Sequence, residues 1–99
     1  MLNSKQRAYL RSISNDEETI LIIGKGGVTK EVIVQADDAL TARELIKCKV
    51  LETSSKSVKD VSIEVADGTE SEVVYVIGGK FVLYRRNKKN PKIKLPASK

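Results

Sequence analysis

Apolar and polar positions along the chain switch between a helical period and an alternating one, and the switches predict three helices and four strands. Leu2, Gln6, Tyr9, Leu10 and Ile13 recur at helical spacing, predicting an amphipathic first helix with Tyr9 in the core. Asn3, with Gln6 three residues on, fits an N-cap and a capping box. Arg7 and Arg11, one turn apart, are expected to point away from the apolar stripe. The acidic, turn-forming run Ser14-Asn15-Asp16-Glu17-Glu18 then ends the pattern.

Thr19 to Ile23 is a continuous apolar and β-branched run, which predicts a buried strand. It stops at Gly24-Lys25-Gly26-Gly27, and Thr29 can cap a second helix carrying Val32, Ile33, Ala36, Ala39 and Leu40 on one face. From Leu45 to Leu51, Ile46, Cys48 and Val50 alternate with Lys47 and Lys49, as in a half-buried strand with a basic outer face. Ser57 can cap a third helix through about Ala66, with Val58, Val61 and Val65 inward and Ile63 off the apolar face. Glu72 to Ile77 and Lys80 to Arg85 are strands joined by a tight hairpin at Gly78-Gly79. The expected order is α-β-α-β-α-β-β, a two-layer α/β sandwich on a four-stranded mixed sheet.

Composition narrows the chemistry. At 99 residues there is room for a single core, and 31% charged with 40% hydrophobic residues is an ordinary globular balance. No apolar run approaches the ~20 residues that span a bilayer, and the first residues read as a helix rather than a signal peptide, so a cytoplasmic location is expected. A single cysteine, Cys48, has no partner for an internal disulfide and is expected in the core. The chain has no histidine, which removes the usual acid-base side chain and makes a zinc site implausible. Asp16-Glu17-Glu18 and Asp37-Asp38 are not placed like an acid-base pair beside a nucleophile. Neither an enzyme nor a cofactor is expected.

Charge is distributed unevenly. The net is +5, yet Lys80 to Lys99 holds eight basic residues and no acidic one, leaving −3 for the rest. Residues 1–86 are expected to form the domain and 87–99 a basic tail. Such asymmetry suits a polyanion, and equally a tail kept basic for solubility.

The strand, glycine loop and helix from Ile20 to Leu40 carry the most specific signal. Three glycines in four positions let a ligand's backbone come close, the following helix start adds partial positive charge, and Lys25 adds a full one. That combination suits a phosphate. The spacing is not GxxxxGK[ST], and Thr29 stands where a dinucleotide fingerprint needs glycine or alanine. The GxxG spacing of Gly24 to Gly27 is the one that clamps nucleic-acid backbone in KH domains. A plain left-handed turn explains the same four residues, and spacing alone favours it. Arg7, Arg11, Lys25, Lys30, Lys47, Lys49, Lys80 and Arg85 fall at outward positions or element ends, and gathered around the loop they would form a phosphate footprint. No exposed aromatic element for base stacking is evident, so backbone and shape recognition is favoured over base reading.

The segments Ser4-Lys5-Gln6-Arg7-Ala8-Tyr9-Leu10-Arg11, Ile23-Gly24-Lys25-Gly26-Gly27-Val28-Thr29, Glu44-Leu45-Ile46-Lys47-Cys48-Lys49-Val50, Val76-Ile77-Gly78 and Val82-Leu83-Tyr84-Arg85 resemble the CRM domain (chloroplast RNA splicing and ribosome maturation). Lys92-Ile93-Lys94-Leu95-Pro96 resembles the tail of its single-domain bacterial, YhbY-like members. The resemblance implies a fold similar to the C-terminal domain of translation initiation factor three. It also implies an RNA contact at the GxxG loop, and ribosomal RNA in precursors of the large subunit as partner. The candidate RNA-binding set is Gly24, Lys25, Gly26, Gly27, Lys30, Arg7, Arg11, Lys47, Lys49 and Arg85, on a monomer without DNA or membrane partners. The resemblance departs at Cys48, at Val28 and around Gly68-Thr69-Glu70, where the glycine ending the third helix is displaced. A rival reading is a protein-interaction adaptor that docks an acidic partner through the basic tail or the hairpin edge.

Overall fold

In the computed structural model, which describes residues 2–87, 89, 91 and 93–95, the expected elements appear in the expected order. They are α1 (Ser4–Ser14), β1 (Thr19–Ile23), α2 (Lys30–Arg43), β2 (Leu45–Val50), α3 (Val58–Thr69), β3 (Glu72–Ile77) and β4 (Lys80–Tyr84). Each helix starts at a residue whose side chain accepts an amide of its first turn: Asn3 from Gln6, Thr29 from Val32 and Ser57 from Asp60. Asn3 and Gln6 complete the capping box. No helix among the described residues is long and apolar enough to cross a membrane.

The sheet order is β1-β2-β4-β3. β1 and β2 run parallel, connected through α2, while β4 is antiparallel to both neighbours. One face of the sheet meets α2 and α3 through Leu21, Ile23, Ile46, Cys48, Phe81 and Leu83, with Ala36, Leu40, Val61 and Val65 facing them. Burial of these apolar side chains, at roughly 1.5–3 kcal/mol each, is the main force holding the layers together. The other face meets α1 over only part of its length, where Leu10 packs with Leu45, Val74, Val82 and Tyr84.

The differences from expectation have local causes. Tyr9 is 39% exposed rather than in the core, because Leu10 and Ser14, one turn apart, take the inward positions of α1. The third helix runs beyond Ala66 to Thr69, and Glu70 in the left-handed region ends it in place of a glycine. Gly68 lies inside that helix, where a Cβ would come within 2.6 Å of Ile33 Cδ1; the missing side chain lets α2 approach α3. β4 ends at Tyr84, one residue early, and the Arg85 amide instead donates to the Glu44 carbonyl at 2.9 Å.

The tail was expected as a basic arm, and Lys88, Lys92 and Lys99 lie outside the described residues. Ile93 and Leu95 pack against the α1-side core. Glu44, fully buried at φ 65°, accepts the amides of Asn87 and Ile93, each at 2.7 Å. Two amide donors make burial of this carboxylate tolerable and fix the chain after β4.

Candidate nucleic-acid interface

The loop after β1 places two different demands on its glycines and leaves one of the three without either. A Cβ at Gly24 would meet Leu51 Cδ1 at 3.3 Å, because the Leu51 amide donates to the Ile23 carbonyl and draws the exit of β2 alongside. The Gly27 amide donates to the Gly24 carbonyl at 3.0 Å, closing a four-residue turn, and Gly27 sits at φ +70°, where side chains are strained. Gly26 has neither constraint: its φ is ordinary and a Cβ would meet nothing within 4 Å. The fold does not need glycine there, so its bareness is available to something outside the fold.

Lys25 stands exposed at the tip of this turn, and Lys30, also exposed, is the first residue of α2. A helix start already carries partial positive charge, so a lysine there works against the helix dipole by a few tenths of a kcal/mol or more. Neither lysine makes a hydrogen bond or ion pair with a described residue. The turn therefore brings two lysines, neither in an ion pair with a described residue, to backbone amides at a helix start, with Glu31 as the acidic residue of the same helical turn.

Strand register extends this site across the sheet. Ile22 pairs with Lys49, Lys49 with Lys80, and Lys80 with Ile77, so these four residues form one row across β1, β2, β4 and β3. The row lies on the α1 side of the sheet but beyond the part α1 covers, and all four residues are exposed. Sequence reasoning marked Lys49 from the alternation of β2, whereas Lys80 was only one basic residue among several. Its position opposite Lys49 follows from β4 lying beside β2, which local spacing does not reveal.

The remaining candidates are placed differently. Arg11 is exposed on α1, with its guanidinium 4.9 Å from the centre of the Tyr75 ring, at the border of the open row. Lys47 is half-buried and its Nζ donates to the Ser14 carbonyl at 3.4 Å, a cation placed against the C-terminal end of α1. Arg7 donates to the Val73 and Val74 carbonyls on β3 and lies 3.9 Å from the Glu72 carboxylate. Arg85 is at the opposite end of the sheet from the loop, bonded to Asp37 Oδ1 at 2.5 Å, the Thr69 carbonyl at 2.8 Å and Thr41 Oγ1 at 2.8 Å. The structure therefore gathers Gly24, Lys25, Gly26, Gly27, Lys30 and Lys49 at one end, with Arg11 bordering them. It does not bring Arg7 or Arg85 to that group.

Cys48 is fully buried on the helix-facing side, and burial pushes its thiol up to about 12, which leaves no reactive thiolate near neutral pH. Lys56, in the loop after β2, is tied to Glu64 at 2.7 Å, and that partner raises its pKa.

A glycine turn opening onto a basic, partly uncovered sheet defines a small α/β domain with one open basic face. The chain belongs to the CRS1 / YhbY (CRM) domain family, which it matches over residues 2–85. It is 42% identical over 96 residues to a Bacillus subtilis protein named "Probable RNA-binding protein YqeI", covering 97% of this chain and 100% of that one. It is 30% identical over 95 residues to a Haemophilus influenzae protein named "RNA-binding protein", covering 96% of this chain and 95% of that one. Among solved structures it is similar to a Staphylococcus aureus hypothetical protein described as a candidate RNA-binding protein. That likeness has a TM-score of 0.81 at 44% identity, over 97% of this chain and 100% of that one. The names of these relatives all describe RNA binding.

Proposed function

We propose that the protein binds RNA through the Gly24–Gly27 turn and acts in the cytoplasm, as a monomer, on ribosomal RNA in precursors of the large ribosomal subunit. The names of its relatives support RNA as the ligand class, and the family resemblance supports the ribosomal target. The single observation that carries the loop assignment is Gly26, a glycine that the fold does not require, beside an unneutralised Lys25. Backbone amides and Lys25 hold a phosphate while the absent side chain lets the sugar-phosphate chain lie close.

Lys25→Glu combined with Gly26→Asp tests this in a filter-binding titration against ribosomal RNA. Affinity is expected to fall at least tenfold with an unchanged melting temperature. Unchanged affinity would remove the loop from the contact. Sedimentation of the tagged protein with large-subunit precursors, lost in the same variant, tests the ribosomal target. The adaptor reading fares worse on one point: Arg7 occupies the Val73 and Val74 carbonyls on β3, leaving less of the hairpin edge for a partner strand.

A further inference from the structure

We infer that the RNA held at the Gly24–Gly27 turn is double-stranded, and that its backbones lie across the uncovered sheet row Ile22–Lys49–Lys80–Ile77. This inference rests on the RNA-binding reading above and adds the form of the ligand.

The central pair of the row is the first reason. Lys49 and Lys80 are direct register partners on neighbouring antiparallel strands, both exposed, and neither has an ion pair among the described residues. Like charges directly opposite one another destabilise a sheet. The fold tolerates this repulsion at the loop end of an unbroken strand pair, and a bound anion relieves it. The turn continues the same surface, because Ile22, at the end of the row, is two residues from Gly24.

The shape of the surface is the second reason. The row spans three strand spacings, about 14 Å. Glycine turns border it at Gly24–Gly27 and at Gly78-Gly79, and at Gly26, Gly27 and Gly78 a Cβ would meet nothing within 4 Å. The Gly79 carbonyl accepts the Val50 amide at 2.7 Å, which folds the hairpin tightly onto the end of β2. No side chain from Gly26, Gly27, Gly78 or Gly79 stands up at these rims, so a rod wider than the row can rest across it.

The third reason is what the row lacks. A single strand held on a sheet is gripped by aromatic rings that stack on its bases. Here Phe81 faces the helices, Tyr84 is buried, Tyr75 lies beneath Arg11, and the exposed ring, Tyr9, is on α1 rather than in the row. The row itself offers two ammonium groups flanked by two isoleucines. Ammonium groups take phosphates, and branched aliphatic side chains pack against riboses, both of which line the wide, shallow minor groove of an A-form helix. The turn then engages one backbone and the lysine pair the other.

The test uses the full chain, an RNA duplex of about 16 base pairs, and each of its strands alone at the same salt. The duplex is expected to bind at least tenfold tighter than either strand. Lys49→Glu with Lys80→Glu is expected to lower duplex affinity at least tenfold and to reduce the salt dependence by about two phosphate contacts. Binding of the single strand through the turn should change less than threefold. Lys49→Glu alone is the control for folding, because the new carboxylate faces Lys80 as an ion pair. It should bind duplex about tenfold more weakly while melting no lower than the parent. Tighter binding of single strands, or duplex affinity unmoved by the Lys49 and Lys80 changes, overturns the inference. Those outcomes leave the turn assignment standing. Failure of the Lys25→Glu, Gly26→Asp variant to weaken either ligand overturns the assignment itself.

Discussion

The two ends of the sheet use the same kinds of charged residue for opposite purposes. At the end where β4 leaves the sheet, Arg85 is bonded to Asp37, Thr41 and Thr69, and Glu44 holds the amides of Asn87 and Ile93. Arg7 grips the start of β3 and Lys47 the end of α1. At the loop end, Lys25, Lys30, Lys49 and Lys80 have no such partner among the described residues. Charge spent on internal partners tightens the fold, and charge left free repels itself until a ligand arrives. In this chain Arg7, Arg85 and Glu44 are separated from the free lysines by the length of the strands, while Lys47 and Lys56 are bonded lysines nearer the loop end.

The largest effect expected from breaking the contrast is at Glu44. Glu44→Ala leaves two amides without their carboxylate acceptor and should cost about 3 kcal/mol in urea denaturation, in line with loss of a buried charged acceptor. RNA affinity of the folded fraction should not change. Loss of affinity without loss of stability would mean that this end also meets RNA.

At the other end the signs reverse. Lys25→Glu with Lys30→Glu should weaken RNA binding about thirtyfold, roughly 2 kcal/mol. Stability should stay level or rise, because acidic groups suit a helix start. Fluorescence anisotropy and thermal melting on the same sample separate the two.

Cys48, on β2 between the ends, gives a pH-dependent effect. Its thiol, ordinarily near 9.0, is raised by burial to about 12 in the fold. Between those values the unfolded chain has lost the proton that the folded chain keeps, so stability falls as pH rises. The limiting slope is about 1.4 kcal/mol per pH unit. Denaturation at pH 8 and pH 10.5 should show the loss, and Cys48→Ala should remove this component of it.

The smallest effect sharpens the roles within the turn. Gly27→Ala should cost about 1 kcal/mol of stability, because φ +70° strains any side chain. Gly26→Ala should leave stability unchanged and weaken RNA binding severalfold. The reverse pattern would assign the glycines to the fold alone.

Much of this architecture was legible from local spacing. Asn3, Thr29 and Ser57 mark helix starts because capping is a contact within one turn, and the alternation from Lys47 to Val50 marks which side of β2 is buried. The GxxG turn was legible for the same reason. Contacts between distant segments were not. Arg85 and Lys25 look alike in sequence, and only the fold shows that Asp37, Thr41 and Thr69 converge on one of them. Glu44 read as a residue between helix and strand, since nothing local announces that the backbone at Asn87 and Ile93 returns to it. Tyr9 was misplaced because a helical stripe is wide enough to admit two rotations, and packing chose the one centred on Leu10.

The strand order has a consequence for how the molecule comes into being. Synthesis runs from the N-terminus, so β1, β2 and β3 exist before the strand that joins them. β4 is made last and inserted between β2 and β3. Until residues 80–84 are available, β2 has one bare edge and β3 has no neighbour in the sheet. Glu44 waits longer still, for the amides of Asn87 and Ile93. Folding is therefore a whole-chain event, with an unfinished chain offering open strand edges and the final strand closing the sheet from within.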